Sequence, residues 1–366
     1  MRNFEEWLNL FNSQNLYLFN KDESGILWLK IKSMIRKEIL DFIKIHFNII
    51  LQTKTQQEKF RELYNLAIEG MITHNDIDKI LHSYNKVEIA TIEQKFHEIE
   101  SELYKMTYFA WGGDSTNSLD KQIVSYVKDI YKYNDIVYKI ENDIAENTRN
   151  YTLSSWYNNW TTILTEHIFK IHPKVTSAIG KIKSVDFFIE NIPIDLKITY
   201  LPKEFLKMQR KNYGFGSEIT LLKQIAKRYS LVFDKMDSDE TIKYQIVQQI
   251  KDTNNKNLFW ELQNIDKQNQ KIIYDTIHNK YTLIRWLYEN QGDLRFGAEN
   301  RLFIVLIDSS DFSQSWKLKR NFRIIRPTII DYLNDFSSAN FSNNIVDFVF
   351  HQKNYKALAD IIFIVT

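Results

Sequence analysis

Residues 301–308 read "RLFIVLID", a run of strand length with no polar position between Leu302 and Ile307. A strand that alternates apolar with polar can leave one face in water, but a strand apolar on both faces must be covered on both. A second apolar run, "ADIIFIVT", closes the chain and reads as a last strand. Much of the remainder carries apolar residues at helical spacing, so the cover must come from helices. Only 9 Gly and 4 Pro occur in 366 residues, which favours long helices over a turn-rich all-β architecture. The expected fold is therefore α/β (α+β): a mixed β-sheet flanked by helices, joined to an all-α N-terminal region.

Residues 1–150 read as helix after helix. "ILWLKIKSMIRKEILDFIKIHFNIIL" keeps three- and four-residue apolar spacing over several turns. "QQEKFRELYNLAIEGM" stops near Gly70, and "THNDIDKILHSY" begins at Thr73 or Asn75 as N-cap. "EIATIEQKFHEIESELYKMTYFAW" closes at Gly112-Gly113, with Trp111 either in an exposed aromatic loop or buried before the turn. This region holds no catalytic constellation; it serves packing, dimerisation or DNA recognition. No fixed-period repeat is present, which argues against a solenoid.

The polar stretch "ENTRNYTLSS" marks a change of character, and residues 151–366 form the second expected unit. There a helix, "SWYNNWTTILTEHIFKIH", ends at Pro173. Two strands follow, then helices, then the apolar run at 301, a helical stretch interrupted at Pro327, and the final strand. "MRNFEEWLNLF" is acidic and amphipathic, unlike a secretory leader, and no apolar segment is long enough for a membrane span. The expected location is cytoplasmic. Cysteine is absent, so disulfides and thiolate metal sites are excluded.

The two strands "SVDFFI" and "IPIDLKITY" contain Asp186, Asp195 and Lys197 among apolar neighbours. Charges are rarely buried without partners. A two-residue turn at Glu190-Asn191 would set Phe187 opposite Ile194 and Asp186 opposite Asp195, gathering the three charged residues on one face. Val185, Phe187, Ile194 and Leu196 would then form the apolar face. A one-residue slip would separate the carboxylates, and Pro193 is an awkward residue for a paired strand. Two adjacent carboxylates repel unless a cation lies between them, and a hard divalent metal bound through oxygen resolves the conflict. A neighbouring Lys can then hold or deprotonate the attacking water, which suits metal-assisted phosphodiester hydrolysis. A hairpin end carrying a surface ion pair would read the same way.

Asp186 followed nine residues later by Asp195-Leu196-Lys197 resembles the PD-(D/E)XK nuclease superfamily, which includes most type II restriction endonucleases. The resemblance covers residues 155–310, with Val185 where the family usually has Pro. It implies a restriction-endonuclease-like core in which Asp186 and Asp195 bind Mg2+, with Mn2+ able to substitute. The Leu196 backbone carbonyl would join the metal shell, and Lys197 would position the nucleophilic water. It also implies an assisting acid on the preceding helix, for which Glu166 stands at a suitable distance. Glu93-Gln94-Lys95 is another acid-X-Lys triplet but lacks an upstream strand Asp. His167 and His172 flank Glu166 without being read as catalytic.

Downstream of the trio lie Lys203, Lys207, Arg210, Lys211, Lys223 and Lys227, together with Arg228, against Glu204 and Glu218. Cations beside a nuclease site would hold the phosphate backbone of double-stranded DNA; a solvated charged helix would look similar. Lys317, Lys319, Arg320, Arg323 and Arg326 form a second basic stretch. The function expected is a Mg2+-dependent DNA endonuclease of restriction type, acting as a homodimer because double-strand cleavage requires two sites. The alternatives are a repair or recombination nuclease without sequence specificity, and a non-catalytic helical DNA-binding or scaffold protein.

Overall fold

The structure is a computed structural model that describes residues 2–13, 15–109, 116–182, 185–253, 255–290, 299–350 and 352–366. Gly112-Gly113 and Trp111 lie outside the described residues.

The N-terminal helices are α1 (Phe4–Asn12), α2 (Glu23–Met34), α3 (Lys37–Phe47), α4 (Gln56–Ile68) and α5 (His74–Leu103), with a 3-10 turn at Leu16–Lys21. Gly70 takes φ 79° after α4, and the Thr73 hydroxyl accepts from the Asp76 N–H to cap α5, both as the sequence expects. Then come α6 (Thr116–Asp129), α7 (Tyr133–Lys139) and α8 (Ala145–Lys170). Strands β1 (Val175–Ile182), β2 (Val185–Ile189) and β3 (Ile192–Tyr200) precede α9 (Lys203–Asn212), α10 (Glu218–Tyr229), α11 (Asp239–Asp252), α12 (Lys256–His278) and α13 (Lys280–Asn290). Strand β4 (Arg301–Ile307), a 3-10 segment (Phe312–Arg320), α14 (Phe322–Asp335), α15 (Ser338–Phe341), β5 (Ile345–Phe350) and β6 (Lys353–Val365) complete the chain.

The described strands form one six-stranded sheet in the order β1-β2-β3-β4-β6-β5. The β3–β4 and β4–β6 pairs are parallel; the others are antiparallel. Strand β4 is central, and its residues alternate between two cores. Leu302, Ile304 and Leu306 pack with α8 and α14, whereas Phe303, Val305 and Ile307 pack with α9, α12 and α13. The apolar run thus has the double cover that its composition demands. A smaller helical core joins α10, α11 and α12 through Leu222, Ile246 and Leu262.

The expected division at residue 150 does not match a break in the chain, because it falls inside the continuous helix α8. The polar residues of "ENTRNYTLSS" belong to the early, mostly exposed turns of that helix. Nor do the N-terminal helices build a core of their own: Ile179, Val185 and Phe188 from β1 and β2 complete it. Pro327 does not interrupt α14. The carbonyl its ring deprives of a partner belongs to Arg323, and both residues are exposed, so water can satisfy it.

Candidate active site

The hairpin forms with the expected turn. Glu190 (φ 45°) and Asn191 (φ 72°) are both left-handed, the backbone of a type I′ turn whose twist suits two antiparallel strands. Neither residue is glycine, and both are tied down. Glu190 Oε2 accepts from the Ser338 N–H at 2.9 Å, and Asn191 Oδ1 accepts from the fully buried Lys30 ammonium at 2.7 Å.

The register pairs Ile189 with Ile192, Phe188 with Pro193 and Phe187 with Ile194. In a two-residue hairpin the pair flanking the turn exchanges hydrogen bonds and the next pair does not. Pro193 therefore occupies a position whose missing N–H the β2–β3 ladder does not use. Its carbonyl projects away from β2 and accepts from Asn300 Nδ2 at 2.9 Å.

One step beyond Phe187–Ile194 the ladder becomes irregular. Val185 packs among the N-terminal helices with Phe188, not on the face of Phe187, Ile194 and Leu196, which corrects the simple alternation expected from the sequence. The cause is a register shift on the β1 side between Ser177 and Ile182, opposite the Asp186 region. Asp186 uses this irregularity to reach the edge of β3, where its Oδ2 accepts from the Leu196 N–H at 2.8 Å. Within a strand a residue's N–H and C=O project to the same side, so the Leu196 carbonyl also projects toward the β2 side.

Asp195 begins the parallel β3–β4 ladder opposite Arg301, and its N–H donates to the Asn300 carbonyl at 2.9 Å. It is 6% exposed, which removes it from the surface-ion-pair reading. Lys197 Nζ donates to its Oδ1 at 2.7 Å and Arg301 Nε to its Oδ2 at 3.2 Å. Arg301 Nη2 also donates to Glu299 Oε2 at 3.1 Å.

Glu166 lies on α8, where its Oε2 accepts from Lys170 Nζ at 2.9 Å. Asp186 is the acid that feels both of the others. Burial pushes its carboxyl up to about 6, assisted by the charges of Asp195 and then Glu166, against the opposing Leu196 N–H and Lys197. The helix, the hairpin and the acid-X-Lys triplet therefore gather Asp186, Asp195, Glu166 and Lys197 in one neighbourhood. His167 and Glu93 are paired with each other across α8 and α5, and His172 contacts Asn334, so neither histidine joins the acids.

The donor set suits a hard cation. Two carboxylates and a backbone carbonyl offer oxygen only, and Mg2+ is commonly held by one or two carboxylates with water in its other positions. Among the described residues no group of three or more His, Asp or Glu side chains converges closely enough to ligate a metal by itself. An ion held here would therefore rest on the two carboxylates and the carbonyl and would keep several waters.

The downstream cations divide. Lys203, Lys207 and Lys211 on α9 and Lys227 on α10 are exposed. Lys203 pairs with Glu240, Lys207 approaches Glu204 at 3.8 Å, and the half-buried Lys223 pairs with Asp239. Arg210 is 2% exposed, and its guanidinium donates to the Gly216 carbonyl, Asn269 Oδ1 and Gln268 Oε1. It pins the loop after α9 to α12, which takes it out of the set available to a phosphate backbone. In the second basic stretch Lys319 and Arg320 are buried, Arg320 on the carbonyls of Leu103 and Met106, while Lys317 and Arg323 are exposed.

The sequence reading passed over Glu299, Asn300 and Arg301. The signal was present, since an acid and an Arg at the mouth of a doubly covered strand need partners as much as Asp195 does. No family model, curated protein or solved structure matches this chain.

Proposed function

We propose that the protein is a Mg2+-dependent DNA endonuclease of restriction type, with a PD-(D/E)XK-like site on the β2–β3 hairpin. The observation that carries this reading is the convergence at Leu196. Asp186 reaches across a broken ladder to its N–H, and Asp195 and Lys197 are ion-paired on either side of it. A hairpin stabilised only by packing has no use for an acid turned into that gap.

In this reading Asp186, Asp195 and the Leu196 carbonyl hold the ion, with Glu166 as the assisting acid. When bound, the ion supplies Lewis-acid polarisation of the phosphate and acidifies its water. Lys197 stands beside Asp195 with its side chain 41% exposed, able to turn toward solvent and hold the attacking water. Exposed Lys203, Lys207 and Lys211 on α9, the helix after β3, and Lys227 on α10 would supply the cations that a DNA backbone requires. Cutting both strands calls for two sites, so a homodimer on double-stranded DNA goes with the proposal.

The test is incubation of the protein with plasmid and phage DNA in Mg2+ beside a Lys197→Ala control. Discrete fragments that vanish in the variant support a sequence-specific endonuclease. A smear that vanishes keeps the site and moves the function to nonspecific or repair cleavage. A folded protein that neither cleaves nor binds Mg2+ or Mn2+ refutes the proposal and leaves the acids as a structural ion-pair cluster.

A further inference from the structure

The Asp195 carboxylate is engaged from two sides by cations of different kind. Lys197 reaches Oδ1 on a flexible, partly exposed stem. Arg301 reaches Oδ2 from inside the protein, and its side chain is 2% exposed. Three features fix the guanidinium in place. The β3–β4 register sets its residue directly opposite Asp195. Glu299 Oε2 accepts from its Nη2 at 3.1 Å. The Tyr288 ring lies 4.9 Å from its central carbon, while the Tyr288 hydroxyl donates to the Glu299 carbonyl at 2.7 Å.

A carboxylate free to rotate can present one oxygen or both to a cation. With Oδ2 held by a buried, planar donor, Asp195 keeps Oδ1 turned toward the side where Lys197 stands. Glu299 offsets the guanidinium charge locally, so Arg301 acts on Asp195 chiefly through donor direction. A Lys could not do this, since a single ammonium lacks the fork that spans two carboxylates in fixed geometry.

We infer that Arg301, held by Glu299, is a positioning residue that makes Asp195 a one-oxygen ligand for a divalent cation. The inference rests on the metal-dependent nuclease reading. Groups that orient a metal ligand from behind typically contribute about 10–100-fold to affinity.

The test is calorimetric titration of the full chain with Mn2+, for wild type, Arg301→Lys, Glu299→Gln and Asp195→Asn, with a circular-dichroism melt of each. Arg301→Lys should bind Mn2+ about 10-fold or more weakly while remaining folded at the titration temperature. Glu299→Gln should weaken it in the same sense, because Arg301 then keeps only a neutral acceptor and bears on Asp195 as an unopposed charge. It decides the matter if Arg301→Lys does not fold. A purely structural role would lower the melting temperature and leave the affinity of the folded protein unchanged. Wild-type Mn2+ affinity in the folded Arg301 and Glu299 variants, with binding lost in Asp195→Asn, would overturn the inference and keep the nuclease reading. Failure of the wild type itself to bind Mn2+ would overturn both.

Discussion

Replacing Asp186 by Asn should stabilise the metal-free protein at neutral pH and lose that advantage progressively as pH falls toward 4. The introduced amide keeps the shape and an oxygen to accept from the Leu196 N–H, but it removes the charge. The carboxyl of Asp186 is raised from 3.8 to about 6 by burial and by its acidic neighbours. At about 1.4 kcal/mol per pH unit, that shift means that the ionised form costs the folded state about 3 kcal/mol. Between pH 4 and 6 the folded protein holds a proton that the unfolded chain has lost. Wild-type stability therefore falls relative to the variant as pH rises through that window, and the difference levels off above about pH 7. Urea unfolding of both proteins at pH 4.5, 6 and 8 measures it directly. A difference that stays constant across the series, or a variant that loses ground as pH rises, would refute the account of Asp186 as a carboxylate crowded by like charges.

Four further outcomes follow from the same geometry. Saturation with Mg2+ to about 100 times its dissociation constant should stabilise wild type by about 2.7 kcal/mol and leave Asp195→Asn unaffected, as read by thermal melts with and without EDTA. Arg210→Ala should cost about 2–3 kcal/mol of stability, since Gln268, Asn269 and the Gly216 carbonyl lose a buried charged donor; a wild-type melt with weakened DNA binding would contradict this. In a Lys197→Ala background, Lys211→Ala and Lys227→Ala should each reduce the salt slope of DNA binding by about 0.9 with unchanged melting, and an unaltered slope would remove them from the interface. Burial depresses the Lys319 ammonium to about 8. Wild type should therefore gain on Lys319→Met as pH rises from 7 to 9.5, and parallel stability profiles for the two proteins would count against that burial.

The hairpin was legible because its signals are local. A two-residue turn fixes the register as far as Phe187–Ile194, but the expected pairing of Asp186 with Asp195 is not part of the β2–β3 ladder, which ends there. The central strand was legible for the same reason, six consecutive apolar positions having only one compatible environment. Strands β1 and β5 were not recognised, and both are sheet edges. An edge strand such as β5 buries only alternate residues and carries polar ones, so its pattern blends with that of a loop.

What lay beyond the sequence was every contact set by elements distant in the chain. The irregularity that turns Asp186 toward Leu196 depends on how β1 pairs with β2, and the placement of Glu166 depends on how α8 lies across the sheet. Arg210, adjacent in sequence to exposed lysines, was withdrawn from the surface by α12. The sequence by itself determined which segments become strands with two covered faces and which acids share a hairpin. Only the tertiary structure decided that Asp195 is buried, that Arg301 and Glu299 stand behind it, and that the N-terminal helices complete their core on β1 and β2. The physical reason is that periodicity and turn chemistry act over a few residues, whereas burial and charge pairing depend on neighbours that only the folded chain brings together.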